Sequence, residues 1–165
     1  SNPKVMECLG FFADSMNGIT TMNEITLTDI ETPYEFGLRG IIDNLVFDPT
    51  KKEIRINDLK STTKNLNSFR DSIDYYKYWI QASIYFRLVE KLYANKPEYE
   101  GWSIAYRFIV VDTYCSTGII RITNNTLQEW IKSTDKLLEQ ADYHFKKRDF
   151  KLPYEFLINE NELVI

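Results

Sequence analysis

Histidine occurs once and cysteine twice in these 165 residues, and the two scarcities exclude a good deal of chemistry. His144 sits in "HFKKRDF" with no Ser, Cys or second His beside it. Serine-hydrolase triads, HExxH metalloprotease chemistry and HNH-type cleavage all lack a part. The residue reads as part of a helix surface. Cys8 and Cys115 are far apart, show no zinc spacing, and are too few for the four ligands of an iron–sulfur cluster. Both are expected to be free, buried thiols in a reducing compartment. No run approaches the ~20 apolar residues of a membrane span, so no membrane partner is expected. GxxxxGK[ST] is missing, which excludes a helicase motor within this sequence. With only 6 Gly and 5 Pro, regular elements are favoured over long loops. The opening "SN" reads as a cloning remnant, and the chain is read as one domain that could be a piece of a longer protein.

What is present is enough for a core. The hydrophobic content is 44%, with 11 Tyr and 10 Phe. The net charge of −4 neither advertises nor forbids a nucleic-acid partner, because a total says nothing about patches.

Periodicity supplies the elements. "PKVMECLGFFADSMN" spaces Val5, Met6, Leu9, Phe12 and Met16 as a helix. "NEITLTDIET" alternates as a strand. Residues 38–62 read as a hairpin around "DPTKK". From Ser68 to Tyr93 one long helix is predicted, with Ile73, Tyr76, Ile80, Ile84, Leu88 and Leu92 near one stripe and Ser68 with Asp71 at its start. "WSIAYRFIVVDTY" is apolar enough for a central strand buried on both faces. "STGIIRITN" is another strand. Thr126 and Glu129 form a capping box that opens a helix to about Lys147. The order is α-β-β-β-α-β-β-α: an α/β (α+β) chain with a mixed sheet flanked by helices.

Centring the hairpin between Thr50 and Lys51 sets Asp43 opposite Asp58. Side chains alternate, so Asp58 and Lys60 share a face, and cross-strand partners share it too at about 5 Å between β-carbons. Asp43, Asp58 and Lys60 then form one group, with Ile41, Leu45, Phe47, Ile54 and Ile56 on the same face as core. Two facing aspartates repel unless a cation sits between them or one is protonated. A divalent cation takes such oxygens, together with a backbone carbonyl, here that of Leu59, and waters. A lysine beside it suits phosphodiester hydrolysis, where it orients water and offsets charge on phosphorus. D-x-K by itself is a weak signal, because acid–lysine pairs two apart are common on solvated strands.

The order "GIID" (residues 40–43), hairpin, "NDLKST" (57–62), then a helix bearing "QASIY" (81–85) resembles the PD-(D/E)XK nuclease superfamily. It is most similar to the RecB-like and phage-exonuclease branch, with its G-x-x-D, D/E-x-K and Q-x-x-x-Y. The resemblance covers about residues 40–85 and implies a restriction-endonuclease-like core of α-β-β-β-α-β order. It implies Asp43 and Asp58 as metal ligands, Lys60 as the catalytic lysine, and Gln81 and Tyr85 as active-site residues. A glutamate from the first helix often joins such sites; Glu7 is best placed, with Glu24, Glu31 and Glu35 competing. Ile42 stands where much of the superfamily has proline.

The implied activity is Mg2+- or Mn2+-dependent hydrolysis of DNA by an exonuclease of phage-type recombination or repair. It would act in the cytoplasm of a bacterial or phage-infected cell. The alternatives are a non-catalytic nuclease-like module that binds DNA or protein, and a site-specific endonuclease. On the residues alone, Gln81 and Tyr85 are four apart and share a helical face with Asp74 and Tyr78. The alternative to an active-site role for Gln81 and Tyr85 is a buried polar pair that satisfies its own hydrogen bonds. Lys64, Arg70 and Lys77, with Lys51 and Lys52 at the hairpin tip, are candidate phosphate contacts. Tyr75, Tyr76, Tyr78 and Trp79 are expected to be mostly core, with one or two free to stack on a base. The cations of "HFKKRDFK" suit a helix C-terminus.

Overall fold

The computed structural model describes residues 2–11, 18–151 and 153–159. The elements are α1 (Pro3–Cys8), β1 (Thr20–Asp29), β2 (Leu38–Asp48), β3 (Glu53–Thr62), α2 (Phe69–Tyr75), α3 (Tyr78–Val89), β4 (Ser103–Asp112), β5 (Thr117–Arg121), α4 (Asn124–Lys147) and α5 (Tyr154–Ile158). The strands form one five-stranded sheet in the order β1-β2-β3-β4-β5. Only β3 and β4 run parallel, and α2 and α3 supply the crossover that a parallel pair requires. The mixed sheet and flanking helices match the expected class. Phe12 and Met16 of the first predicted helix lie outside the described residues.

Alternation explains the layering. Tyr106, Phe108 and Val110 of β4 join Ile54 and Ile56 of β3 in the core under α3, while Ile109 packs with Val5 and Cys8 under α1. The side under α1 is partly polar. Asn57 Nδ2 donates to Asn44 Oδ1 at 2.6 Å and to the Cys8 carbonyl at 3.0 Å, and Arg55 pairs with Asp48 at 2.9 Å. These buried contacts span β2 and β3, so they hold the hairpin in register.

Several expectations change. The long helix divides at Lys77, whose left-handed backbone (φ +56°) ends α2 and restarts the chain as α3, so Asp74 no longer shares a face with Gln81. Ser68 precedes α2 without a side-chain capping bond, and Asn65 caps the short turn before it instead. The helix α4 begins three residues early, because Thr123 rather than Thr126 accepts the capping N–H. Cys115 is exposed, while Cys8 is buried as expected. His144 is half-buried at the end of α4, with Nδ1 2.8 Å from the Asp149 carbonyl and its ring stacked on Phe150. Among the described residues no helix is long and apolar enough to cross a membrane.

Candidate active site

The hairpin pairs as the alternation requires, with Leu45 opposite Ile56 and Asn44 opposite Asn57. Its ladder stops there. Beyond Asn44, β2 stays paired to β1 as far as Leu38, and β3 stays paired to β4 through Thr62. The sheet therefore splits between β2 and β3 at the point where Asp43 and Asp58 would have faced each other. Two like charges are a poor cross-strand pair, which favours the split.

The alternation along β2 also slips there. Gly40 and Ile42 face α3, and so do Leu45 and Phe47, while Asn44 reaches the Leu9 carbonyl on the other side. The β1–β2 ladder skips Asp43 and the facing Glu24, whose φ is +49°. A distortion of this kind re-aims a side chain. Ile41, expected in the core, is consequently 50% exposed.

The split frees backbone groups, and Asp43 takes one of them: its Oδ2 accepts the Leu59 N–H at 2.7 Å. An extended residue points its N–H and C=O to the same side, so the Leu59 carbonyl faces this opening too. Asp58 sits beneath, 1% exposed, with both carboxylate oxygens buried and lacking a directional hydrogen bond. The Lys60 ammonium lies 2.7 Å from Asp58 Oδ2 but off the hydrogen-bond direction, so the contact is an ion pair. Burial, opposed by Lys60 and reinforced by the nearby Asp43 charge, pushes the Asp58 carboxyl up to about 6.

The helix α3 closes the opening from one side. Lys60 Nζ donates to Gln81 Oε1 at 2.9 Å, and Gln81 Nε2 donates to the Tyr85 hydroxyl at 2.8 Å. Lys60 also rests 4.7 Å above the Tyr78 ring. A continuous chain runs Asp58–Lys60–Gln81–Tyr85, and the one-turn spacing of Gln81 and Tyr85 makes it possible. Gly40 belongs to the same arrangement. A β-carbon there would stand 2.5 Å from Cε1 of Tyr85, so "GIID" requires glycine for the tyrosine ring to pack. Gly40→Ala is expected to cost about 1–3 kcal/mol of stability through overpacking and to disturb the Gln81 contact. Denaturant unfolding checks the first effect, and a parental unfolding midpoint would refute it.

The sequence reasoning placed two features differently. Glu7 is not brought to the two acids. It lies on the opposite side of the sheet and pairs with Lys51 at 3.2 Å near the hairpin turn, because α1 packs against Ile109 and Asn57 rather than over Asp58. Of its competitors, Glu24 stands exposed at the register position opposite Asp43, while Glu31 and Glu35 lie in the β1–β2 connection. Lys51 and Lys52 lie in the turn before β3, whose first residue, Glu53, is already about 17 Å from Asp58 at strand rise. The sequence reading also missed Tyr106. Its fully buried hydroxyl makes no directional hydrogen bond, and burial, with the Asp58 charge next, holds it well above its ordinary pKa. It stays a protonated donor close to Asp58. A lone polar-tipped ring inside "WSIAYRFIVV" was its only signal.

Among the described residues no third His, Cys, Asp or Glu joins Asp43 and Asp58. The donor set still suits a hard divalent cation: two carboxylates, one with both oxygens buried and lacking a directional hydrogen bond, and a carbonyl facing the same opening.

Comparison with known proteins bears on this arrangement. A family model of the PD-(D/E)XK nuclease superfamily matches residues 9–153. No curated protein matches the sequence. A crystal structure from Eubacterium rectale, described as a "putative exonuclease", aligns with a TM-score of 0.57 and 18% identity, covering 99% of this chain and 59% of that one. A structure of a protein named SSO0001 aligns with a TM-score of 0.40 and 11% identity over 81% of this chain and 58% of the other. The chain thus spans a little under three fifths of either structure's length. The likeness to the Eubacterium rectale structure is one of fold.

Proposed function

The chain belongs to the PD-(D/E)XK nuclease superfamily, and from that premise we propose that Asp43, Asp58, Lys60, Gln81 and Tyr85 form the centre of a metal-dependent deoxyribonuclease acting as an exonuclease. One observation carries the reading. A buried carboxylate, Asp58, has no directional hydrogen-bond partner and lies beside a second acid and a lysine where the β2–β3 ladder ends. Repulsion between the acids makes the arrangement costly alone and favourable around a cation.

Asp43, Asp58 and the Leu59 carbonyl would hold Mg2+ or Mn2+, since all-oxygen ligation suits these ions. Bound there, the ion would lower the pKa of a water and neutralise charge on the phosphate. Lys60 offers a fixed ammonium to the reacting phosphate and to the attacking water. Gln81 positions Lys60, and Tyr85 positions Gln81. The exonuclease reading draws support from the description of the Eubacterium rectale structure, and a place in phage-type recombination or repair rests on the resemblance of the motifs alone.

Linear and circular DNA incubated with the protein in Mg2+, Mn2+ or EDTA test the proposal. The expected result is degradation of linear DNA with either ion, none in EDTA, and intact circles. Cleavage in EDTA would remove the metal from the account, and cut circles would make the protein an endonuclease. DNA binding without cleavage under any ion would leave a binding module. Gln81→Ala is expected to lower turnover about 10- to 100-fold with the fold preserved, the range for groups that orient a reacting side chain. A variant that fails to fold would show Gln81 to be a core residue instead.

A further inference from the structure

We infer that this centre takes its substrate as an unstacked single strand, with one nucleobase seated in a groove between β2 and α3; the inference rests on the hydrolytic reading above. The groove has a volume of about 670 Å3 and runs past Gln81 and Tyr85, so an occupant lies next to the reacting phosphate. Its walls include Ile80, Ile84 and Tyr76. Apolar walls suit the face of a base and reject a phosphate. Arg39 and Lys77 also border the groove and supply cations for the flanking backbone.

Tyr76 is the turning point. The break at Lys77 ends α2 and leaves Tyr75 77% and Tyr76 61% exposed, unusual for large rings beside a cleft. The Tyr76 ring is nevertheless held, stacked on Tyr78 at 5.4 Å and perpendicular to the Tyr75 ring at 4.9 Å between centroids. A pre-oriented ring gives up little freedom when a base stacks on it, and every base has a face to offer. Tyr76 also borders a second cleft of about 370 Å3, lined by Ser61, Thr62, Thr63, Lys64 and Ser72 and by Asp112, whose Oδ1 accepts the N–H groups of Tyr114 and Ser116. Hydroxyls and an amine suit sugar and phosphate. A strand passing Gln81 and Tyr85 would run from the hydroxyl-lined cleft, by Tyr76, into the apolar groove, and its base would have to leave its neighbours to enter. A base in an intact duplex is stacked and paired and does not fit this path.

The test compares a single-stranded oligonucleotide with its blunt duplex and with the same strand made abasic, in Mg2+ or Mn2+. Alongside, a 2-aminopurine strand is bound in EDTA and its fluorescence followed, with the parent protein and with Tyr76→Ala and Ile80→Gln. The normal strand is expected to exceed the abasic strand in kcat/KM by at least about tenfold, the scale of one base–aromatic stack, and that ratio should fall toward one in both variants. Fluorescence quenching should likewise depend on Tyr76. Equal cleavage of normal and abasic strands, or a duplex degraded as fast as the single strand, would overturn the inference while leaving hydrolysis intact. Tyr76-dependent quenching with no cleavage of any substrate would uphold the groove and sink the hydrolytic reading. Neither signal would sink both.

Discussion

Asp58→Asn is expected to abolish cleavage, by on the order of a thousandfold or more in kcat, while making the metal-free protein more stable at neutral pH. Asn keeps the shape of the side chain and removes the charge that would grip the cation. The stability gain follows from linkage. The Asp58 carboxyl, ordinarily near 3.8, is held at about 6 by burial against the pull of Lys60, with Asp43 adding to the rise. Between those pH values the folded protein keeps a proton that the unfolded chain has released, so stability falls as pH rises through that window. Above it the ionised carboxylate costs about 2–3 kcal/mol relative to its neutral form, a figure that already includes the attraction of Lys60, so a neutral isostere should recover up to about that amount. Urea unfolding in EDTA at pH 7.5 and pH 4 measures it, and the difference should vanish at the lower value. The same proton competes with the cation, so the apparent affinity for Mg2+ or Mn2+ should weaken as pH drops through about 6. A D58N protein that cleaves DNA, or that unfolds more readily than the parent at pH 7.5, would contradict the assignment.

Lys60→Met should lower kcat about 100- to 1,000-fold, the effect of deleting one preorganised group that meets developing charge. Metal binding should survive, because the ammonium is not a ligand and repels a cation. Isothermal titration with Mn2+ separates the two effects. The variant should also be less stable than the parent at neutral pH. Asp58 loses its ion partner at 2.7 Å, and Gln81 loses the donor to its Oε1 at 2.9 Å. An uncompensated buried carboxylate takes up protons more readily, so any residual activity should need a higher pH than the parent. Turnover within about tenfold of the parent would show that Lys60 is an ordinary ion partner of Asp58 and not a participant.

Part of this molecule was legible in the order of its residues. The alternation around "DPTKK" gave the facing residues of β2 and β3 from Asp48 back to Asn44, though not at Asp43, since side-chain period and turn position are properties of near neighbours. The apolar run in "WSIAYRFIVVDTY" gave an interior strand for the same reason. Glycine in "GIID" and tyrosine in "QASIY" were visible only as letters; the 2.5 Å approach that makes each require the other belongs to packing between β2 and α3. The break at Lys77 was hidden beneath a continuous helical stripe, because a single left-handed residue leaves almost no mark on periodicity. Glu7 was assigned by chain order, and its helix packs against the other side of the sheet because Val5 and Cys8 bury themselves against Ile109.

The sequence by itself determined the hairpin register from Asn44 to Asp48, the order of the five strands, and the placement of an acid and a lysine two apart on one strand. Tertiary structure alone decided that β2 and β3 separate at Asp43, that Asp58 lies buried without a directional partner, and that Gln81 meets Lys60. The physical reason is range. Alternation and turn chemistry act over a few residues, whereas burial and repulsion between the two acids depend on segments that only folding brings together.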